Sequence, residues 1–208
     1  MRYQAAPRPD MRQAHTEHTK QPMTLSDSQL HTLCQCRQLV HPYYPENVGP
    51  CSIDLTLGAV IRPEGVGDRP FTEEVNMYVE GAYVLHPGER VLATTQEVIS
   101  MPLDKVGKLM LRSTAARLGL EHSFSGLIDP FFEGQLTLEL KNDLQTHTIS
   151  LMPGMRLIQM SVETVIGKVE KGYDKVGWYQ GQAGPTVSNY RTRSEHKPRK
   201  EAVRSWKY

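Results

Sequence analysis

"GQLTLELKN", residues 134–142, decides how the rest of the chain is read. Leu136, Leu138 and Leu140 fall on one side of an extended backbone, and Gln135, Thr137 and Glu139 on the other. That two-residue period is the pattern of a half-buried β-strand. Its polar side faces either solvent or a pocket, and the pattern alone leaves both open. The same texture recurs outward from this segment. "SIDLTLG" (52–58) alternates Ile53, Leu55 and Leu57 with polar partners. "AYVLHPGERVLATTQEVISM" (82–101) reads as strand, turn at His86-Pro87-Gly88, and strand. "HTISLMPGMRLIQMSVETV" (147–165) gives two more strands about Pro153-Gly154. Many short strands with Pro-Gly turns and almost no helical period predict an all-β-dominated sandwich, barrel or jelly roll. One short helix is expected within "MTLSDSQLHTLCQCRQLV" (23–40), capped by Ser26 or Asp27, with Leu30, Leu33 and Cys34 as its buried stripe.

Composition bounds what such a fold can do. The chain has 208 residues, 38% of them hydrophobic and 23% charged, enough for one domain with a sizeable core. A formal net charge of +1 supplies no global field toward nucleic acid or a membrane surface, so neither is expected as a partner. Residues 1–22 are polar and nearly free of large aliphatics, and read as a disordered leader. The domain is expected over 23–188, and the basic cluster within 189–208 reads as a solvated tail. Three cysteines, Cys34, Cys36 and Cys51, argue against a disulfide framework and fit a reducing, cytoplasmic setting. Cys34-x-Cys36 has no second Cys/His pair at zinc spacing. No apolar run approaches the roughly 18 residues of a membrane span, and the polar N-terminus is not a secretory signal.

The chemistry concentrates in "RSTAARLGLEHSFSGLIDPFFEG" (112–134), a long connection without a clean period between two strand-like runs. Long connections in compact β domains are often functional. Arg112, Ser113 and Thr114 offer a guanidinium and two hydroxyls suited to phosphate oxygens. Arg117 follows, then Gly119, and Ser125-Gly126 and Asp129-Pro130 are turn material that can bring backbone groups to a ligand. Glu139, on the polar side of its strand, can shuttle protons if that side borders a pocket. Pattern alone fits at least as well a solvated Glu139 with Arg112 and Arg117 as surface charges.

Beyond the pattern, "RSTAARLGL", "IDPFFEGQLTLEL" and "PGMRLIQM", in this order and spacing, resemble the dCTP deaminase branch of the trimeric dUTPase superfamily. "SIDLTLG", "LHPGERVLATTQEVISMP" (85–102) and "YQGQAGPTVS" (179–188) extend the resemblance, which runs from about Met23 to Ser188. It implies a distorted β-barrel, jelly-roll-like subunit that assembles as a homotrimer with active sites between subunits. It implies hydrolysis of dCTP to dUTP and ammonia, with Mg2+ serving only to hold the triphosphate. By resemblance Glu139 is the catalytic glutamate, Ser113 stands beside the nucleophilic water, and Arg117 positions the site and balances Glu139. Arg112 and Thr114 match phosphate contacts, Ser125 and Gly126 backbone contacts to base and water, and Ile128 and Asp129 the sugar-facing turn. Tyr173, Tyr179 and Gln182 lie in a segment that closes over the nucleotide in the family. Feedback by dTTP, common in the family, is a further expectation.

Zinc nucleobase deaminases carry H-x-E followed by P-C-x-x-C. Here His15-Thr16-Glu17 lies in the leader and Pro50-Cys51 lacks its second cysteine, so no zinc is expected. Departures from the family's pattern fall on the rim. Leu111 replaces the glycine before the arginine, Thr114 the second serine, Phe131 the glycine after "IDP", and Trp178 a phosphate-binding lysine that Lys175 could replace. "HSFSG" (122–126) resembles a stretch found in bifunctional members, which also cleave dUTP to dUMP and pyrophosphate. A nucleotide-binding regulator on the same fold is the reading from another class.

Overall fold

The computed structural model of the chain describes residues 24–37, 39–65, 71–122 and 125–189. The leader expected over 1–22 and almost all of the basic tail lie outside the described residues. In chain order the elements are α1 (Asp27–Arg37), β1 (Val40–His41), β2 (Ile53–Thr56), β3 (Val60–Pro63), β4 (Val75–Asn76), α2 (Met77–Glu80), β5 (Tyr83–Leu85) and β6 (Arg90–Ser100). They continue as β7 (Lys105–Leu111), α3 (Ser113–Arg117), β8 (Leu120–His122), β9 (Leu127–Ile128), β10 (Glu133–Asn142), β11 (Ile149–Leu151), β12 (Arg156–Thr164) and α4 (Tyr173–Val176).

The two-residue period does what it predicts. Along β10 burial alternates strictly, with Leu136, Leu138 and Leu140 buried and Gln135, Thr137, Glu139 and Lys141 half-buried. β10 lies between β6 and β8 in a sheet ordered β4-β3-β6-β10-β8, with β1 also on β6. A second sheet runs β2-β12-β7-β9, and β5 pairs with β11 in a third. Ile53 and Leu55 of β2 and Ile158 and Met160 of β12 join the β10 leucines in one apolar core. The fold is therefore β-dominated, its strands divided among open sheets instead of closing into one regular barrel.

Both Pro-Gly turns are corners between sheets. β5 and β6 are contiguous about His86-Pro87-Gly88, yet β5 pairs with β11 and β6 joins β10. The Pro153-Gly154 turn likewise sends β11 to β5 and β12 to β2 and β7. One buried carboxylate ties the larger sheets together: Glu97 of β6, 1% exposed, accepts from the Thr56 amide and, at 2.7 Å, from the Thr56 hydroxyl of β2. Burial raises its pKa above the ordinary glutamate value, against the pull of the Thr56 hydrogen bonds.

α1 forms where expected, with Leu30, Leu33 and Cys34 buried. Ser26 and Asp27 share its N-terminus: the Ser26 amide donates to Gln29 Oε1 at 3.1 Å, and the Asp27 carboxylate accepts from the Ser28 amide at 2.7 Å. Cys34, Cys36 and Cys51 are free thiols, and burial pushes Cys34 up to about 11, which makes it a poor nucleophile. Among the described residues no helix is long and apolar enough to cross a membrane.

Candidate active site

The half-buried face of β10 is not open to solvent. With the adjoining part of β6 it floors a cavity of about 340 Å³. Register sets Thr137 opposite Thr94, Glu139 opposite Leu92 and Lys141 opposite Arg90. Thr137, Glu139, Arg90 and Leu92 all line the cavity. Ser125, Ile128 and Asp129, from the long connection, form one wall, with Phe132 at its base. Gly126 packs behind that wall, its carbonyl accepting from the Leu109 amide of β7 at 2.7 Å.

The C-terminal segment supplies the opposite wall. The Gln135 amide donates to Gln182 O at 3.0 Å, and Gln182 Nε2 returns a bond to Gln135 O at 2.7 Å. The Gly184 amide donates to Gln135 Oε1 and the Thr186 amide to Thr137 Oγ1. Arg62 of β3 completes the anchorage by donating from Nε to Pro185 O. These bonds run along the polar side of β10 and bring Tyr179, Gln182 and Thr186 to the cavity. Tyr173, at the start of α4, sets its ring edge-on to Phe132 at 5.4 Å and also lines the cavity.

Burial dominates the electrostatics here. It raises the Glu139 carboxyl above its ordinary value, while the Arg90 guanidinium and the Ser125 backbone amide pull it down. The balancing cation within the subunit is thus Arg90 of β6. Burial also raises the Tyr173 phenol. Arg90 was not singled out from the sequence: beside His86-Pro87-Gly88-Glu89 it reads as a turn charge, and only its register against β10 turns it into the cavity.

Seven of the expected residues thus line one cavity: Glu139, Ser125, Ile128, Asp129, Tyr173, Tyr179 and Gln182. Arg112, Ser113, Thr114 and Arg117 do not. Ser113–Arg117 is a short helix whose Ala115 is buried, while Ser113, Thr114 and Arg117 are exposed on its outer side. Gly119 ends this helix at φ 85°, and a Cβ there would lie 2.3 Å from Leu144 Cγ, so both conformation and space call for glycine. Arg112 is committed to Asp54 of β2, with Nε 3.1 Å from Oδ1, and Arg156 approaches the other oxygen at 3.8 Å. Phe131, where the family carries glycine, holds φ 69° and is 48% exposed at the foot of the cavity wall.

A dCTP deaminase-like family model matches residues 24–165. The chain belongs to that family. It is 39% identical over 181 residues to a dUMP-forming dCTP deaminase of Streptomyces griseus, covering 80% of this chain and 94% of the relative. The corresponding enzyme of Thermobifida fusca is 38% identical, with 80% and 92% covered. Among solved structures, the 2'-deoxycytidine 5'-triphosphate deaminase of Agrobacterium tumefaciens superposes with a TM-score of 0.58 at 21% identity and shows the shared fold. That match spans 69% of this chain and about half, 48%, of the Agrobacterium chain. The resemblance read from the sequence blocks is borne out, and the dCTP deaminase-like match includes the Glu139 strand.

Proposed function

We propose that this protein hydrolyses dCTP to dUMP, ammonia and pyrophosphate at a site floored by Glu139. The observation that carries the proposal is a desolvated carboxylate on an otherwise leucine-backed strand, enclosed by the Ser125–Asp129 wall and the C-terminal segment. Attack of water at C4 of cytosine creates a tetrahedral centre whose amine must be protonated before it leaves. Glu139 takes the proton from water, returns it to N3, and passes the next to the departing ammonia; one carboxylate within reach of all three atoms suffices. The dUMP-forming relatives favour this bifunctional reading over the dUTP-forming one set out first from the sequence, and "HSFSG" agrees. The second step is attack of water on the α-phosphorus, with pyrophosphate leaving.

In this reading Ser113 and Arg117 complete the site from a neighbouring subunit of a homotrimer, since both are exposed and neither lines the cavity of its own subunit. Arg112 and Arg156, gathered about Asp54, form a guanidinium pair suited to phosphate oxygens. Magnesium enters this reading as a passenger on the triphosphate, held through the phosphate oxygens. Its contribution when bound is to offset phosphate charge.

The test is to incubate the protein with dCTP and magnesium and resolve the nucleotides by ion exchange. dUMP with pyrophosphate is the expected outcome. dUTP accumulating as the end product would restrict the enzyme to deamination, and tight binding without product would leave a nucleotide-binding regulator.

A further inference from the structure

The steps above use Arg90 only as the cation that balances Glu139. Arg90 lines the same cavity as Glu139. The side chain is not loose, because its guanidinium carbon sits 5.9 Å from the centre of the Phe71 ring, which lines the cavity too. Since Lys141 pairs with Arg90 and Glu139 with Leu92, Arg90 stands diagonally across from Glu139 on one face of the sheet. Diagonal neighbours of this kind lie about 7–8 Å apart, within the combined reach of two side chains and one six-membered ring.

We propose that Arg90 is a specificity-determining residue that reads the pyrimidine, its guanidinium donating to an oxygen on the ring while Glu139 works at C4. The inference rests on the deaminase reading for what occupies the cavity. It adds that the floor offers an acceptor and a charged donor side by side, which matches a ring carrying an amine at one position and an oxygen at another. Two ring oxygens supply that chemistry: the carbonyl at C2, present in every cytosine nucleotide, or an oxygen-bearing substituent at C5. A guanidinium discriminates strongly between an acceptor and its absence, because the alternative leaves the donor buried and unpaired.

The test uses the full chain carrying Glu139→Gln, so that nucleotides bind without turning over, and calorimetric titration with four ligands: dCTP, 2-thio-dCTP, 5-methyl-dCTP and 5-hydroxymethyl-dCTP. Each is titrated with Arg90 intact, with Arg90→Leu, and with Arg90→Lys, which keeps the charge but loses the planar guanidinium. If Arg90 reads the C2 carbonyl, dCTP binds about tenfold or more better than 2-thio-dCTP, and both variants bring that ratio close to one. If it reads a C5 substituent, the 5-hydroxymethyl to 5-methyl ratio behaves that way instead. Ratios unchanged in both variants overturn the proposal, including the case where all four ligands weaken together, which would mark Arg90 as a phosphate contact. Ammonia release by the parent chain separates the two readings. Collapsing ratios without ammonia from any cytosine nucleotide would sink the deaminase and keep Arg90 as a pyrimidine reader. Ammonia with flat ratios would remove the role of Arg90 alone, and absence of any nucleotide binding would remove both.

Discussion

At the scale of single residues, burial decides how Glu139 behaves. Desolvation raises its pKa, and neither Arg90 nor the Ser125 amide cancels the rise. A base must be ionised to accept a proton, so the acid limb of kcat/KM for ammonia release should titrate above the 4.5 of an ordinary glutamate. A limb at or below that value would show that a further cation, such as Arg117 of a neighbouring subunit, outweighs burial in the assembled site. Glu139→Gln should lower ammonia release by at least about 10²-fold while nucleotide affinity stays within a few-fold. The stability sign runs the same way. A carboxyl whose folded-state pKa is raised binds its proton more readily when folded. Its favourable contribution is present below the unfolded value and lost as pH rises through the folded one. At neutral pH the folded protein therefore carries the cost of a desolvated charge, and Glu139→Gln should melt no lower than the parent. A clear drop in Tm at pH 7 would show that the carboxylate is structurally required.

At the scale of elements, the C-terminal segment and β10 act as one unit. Gly134 makes the contact possible: at φ 143°, a Cβ there would lie 2.9 Å from Gln182 O and 3.0 Å from Gln182 N. Gly134→Ala should push the segment off β10, raising KM for dCTP several-fold, while its strained φ adds a stability loss of only about 1 kcal/mol, because most of the core lies on the other face. Leu138→Ala on that core face should do the reverse, costing about 2–5 kcal/mol in denaturant unfolding. The contrast also shows what the sequence makes legible. Alternation marks β10 and separates Leu138 from Glu139 because a half-buried strand must sort its side chains by face. The Pro-Gly turns are equally visible, but a turn looks the same whether it closes a hairpin or carries the chain between sheets, so the β5–β11 pairing is not. α3 is too short to show a helical period, and its five residues read as loop. Arg90 and Thr137 belong to the site through cross-strand register, a long-range property that no local pattern encodes.

At the scale of the whole molecule, the expected catalytic residues divide between two surfaces. Glu139 lies inside a cavity with the Ser125–Asp129 wall and the C-terminal residues, while Ser113, Thr114 and Arg117 are exposed on α3. One subunit cannot be both cavity and partner if all of these groups act on one nucleotide. In the proposed homotrimer each α3 would serve the neighbouring cavity, a heterologous contact that closes on itself. Complementation tests this directly. Glu139→Gln and Ser113→Ala chains should each be nearly inactive alone. Unfolded together and refolded as an equal mixture, they form sites in which an intact Glu139 from one chain meets an intact Ser113 from its neighbour. Random assembly makes that pairing in about one site in four, so roughly a quarter of the parent activity should return. If each site were built within one chain, the mixture would stay as inactive as its components. Recovered activity also requires the order of subunits to matter, since the reverse pairing carries both lesions into one site. A double variant bearing both changes on one chain, mixed with the parent, should leave that same quarter of sites active. The same mixture would keep half its sites if each were complete within a chain.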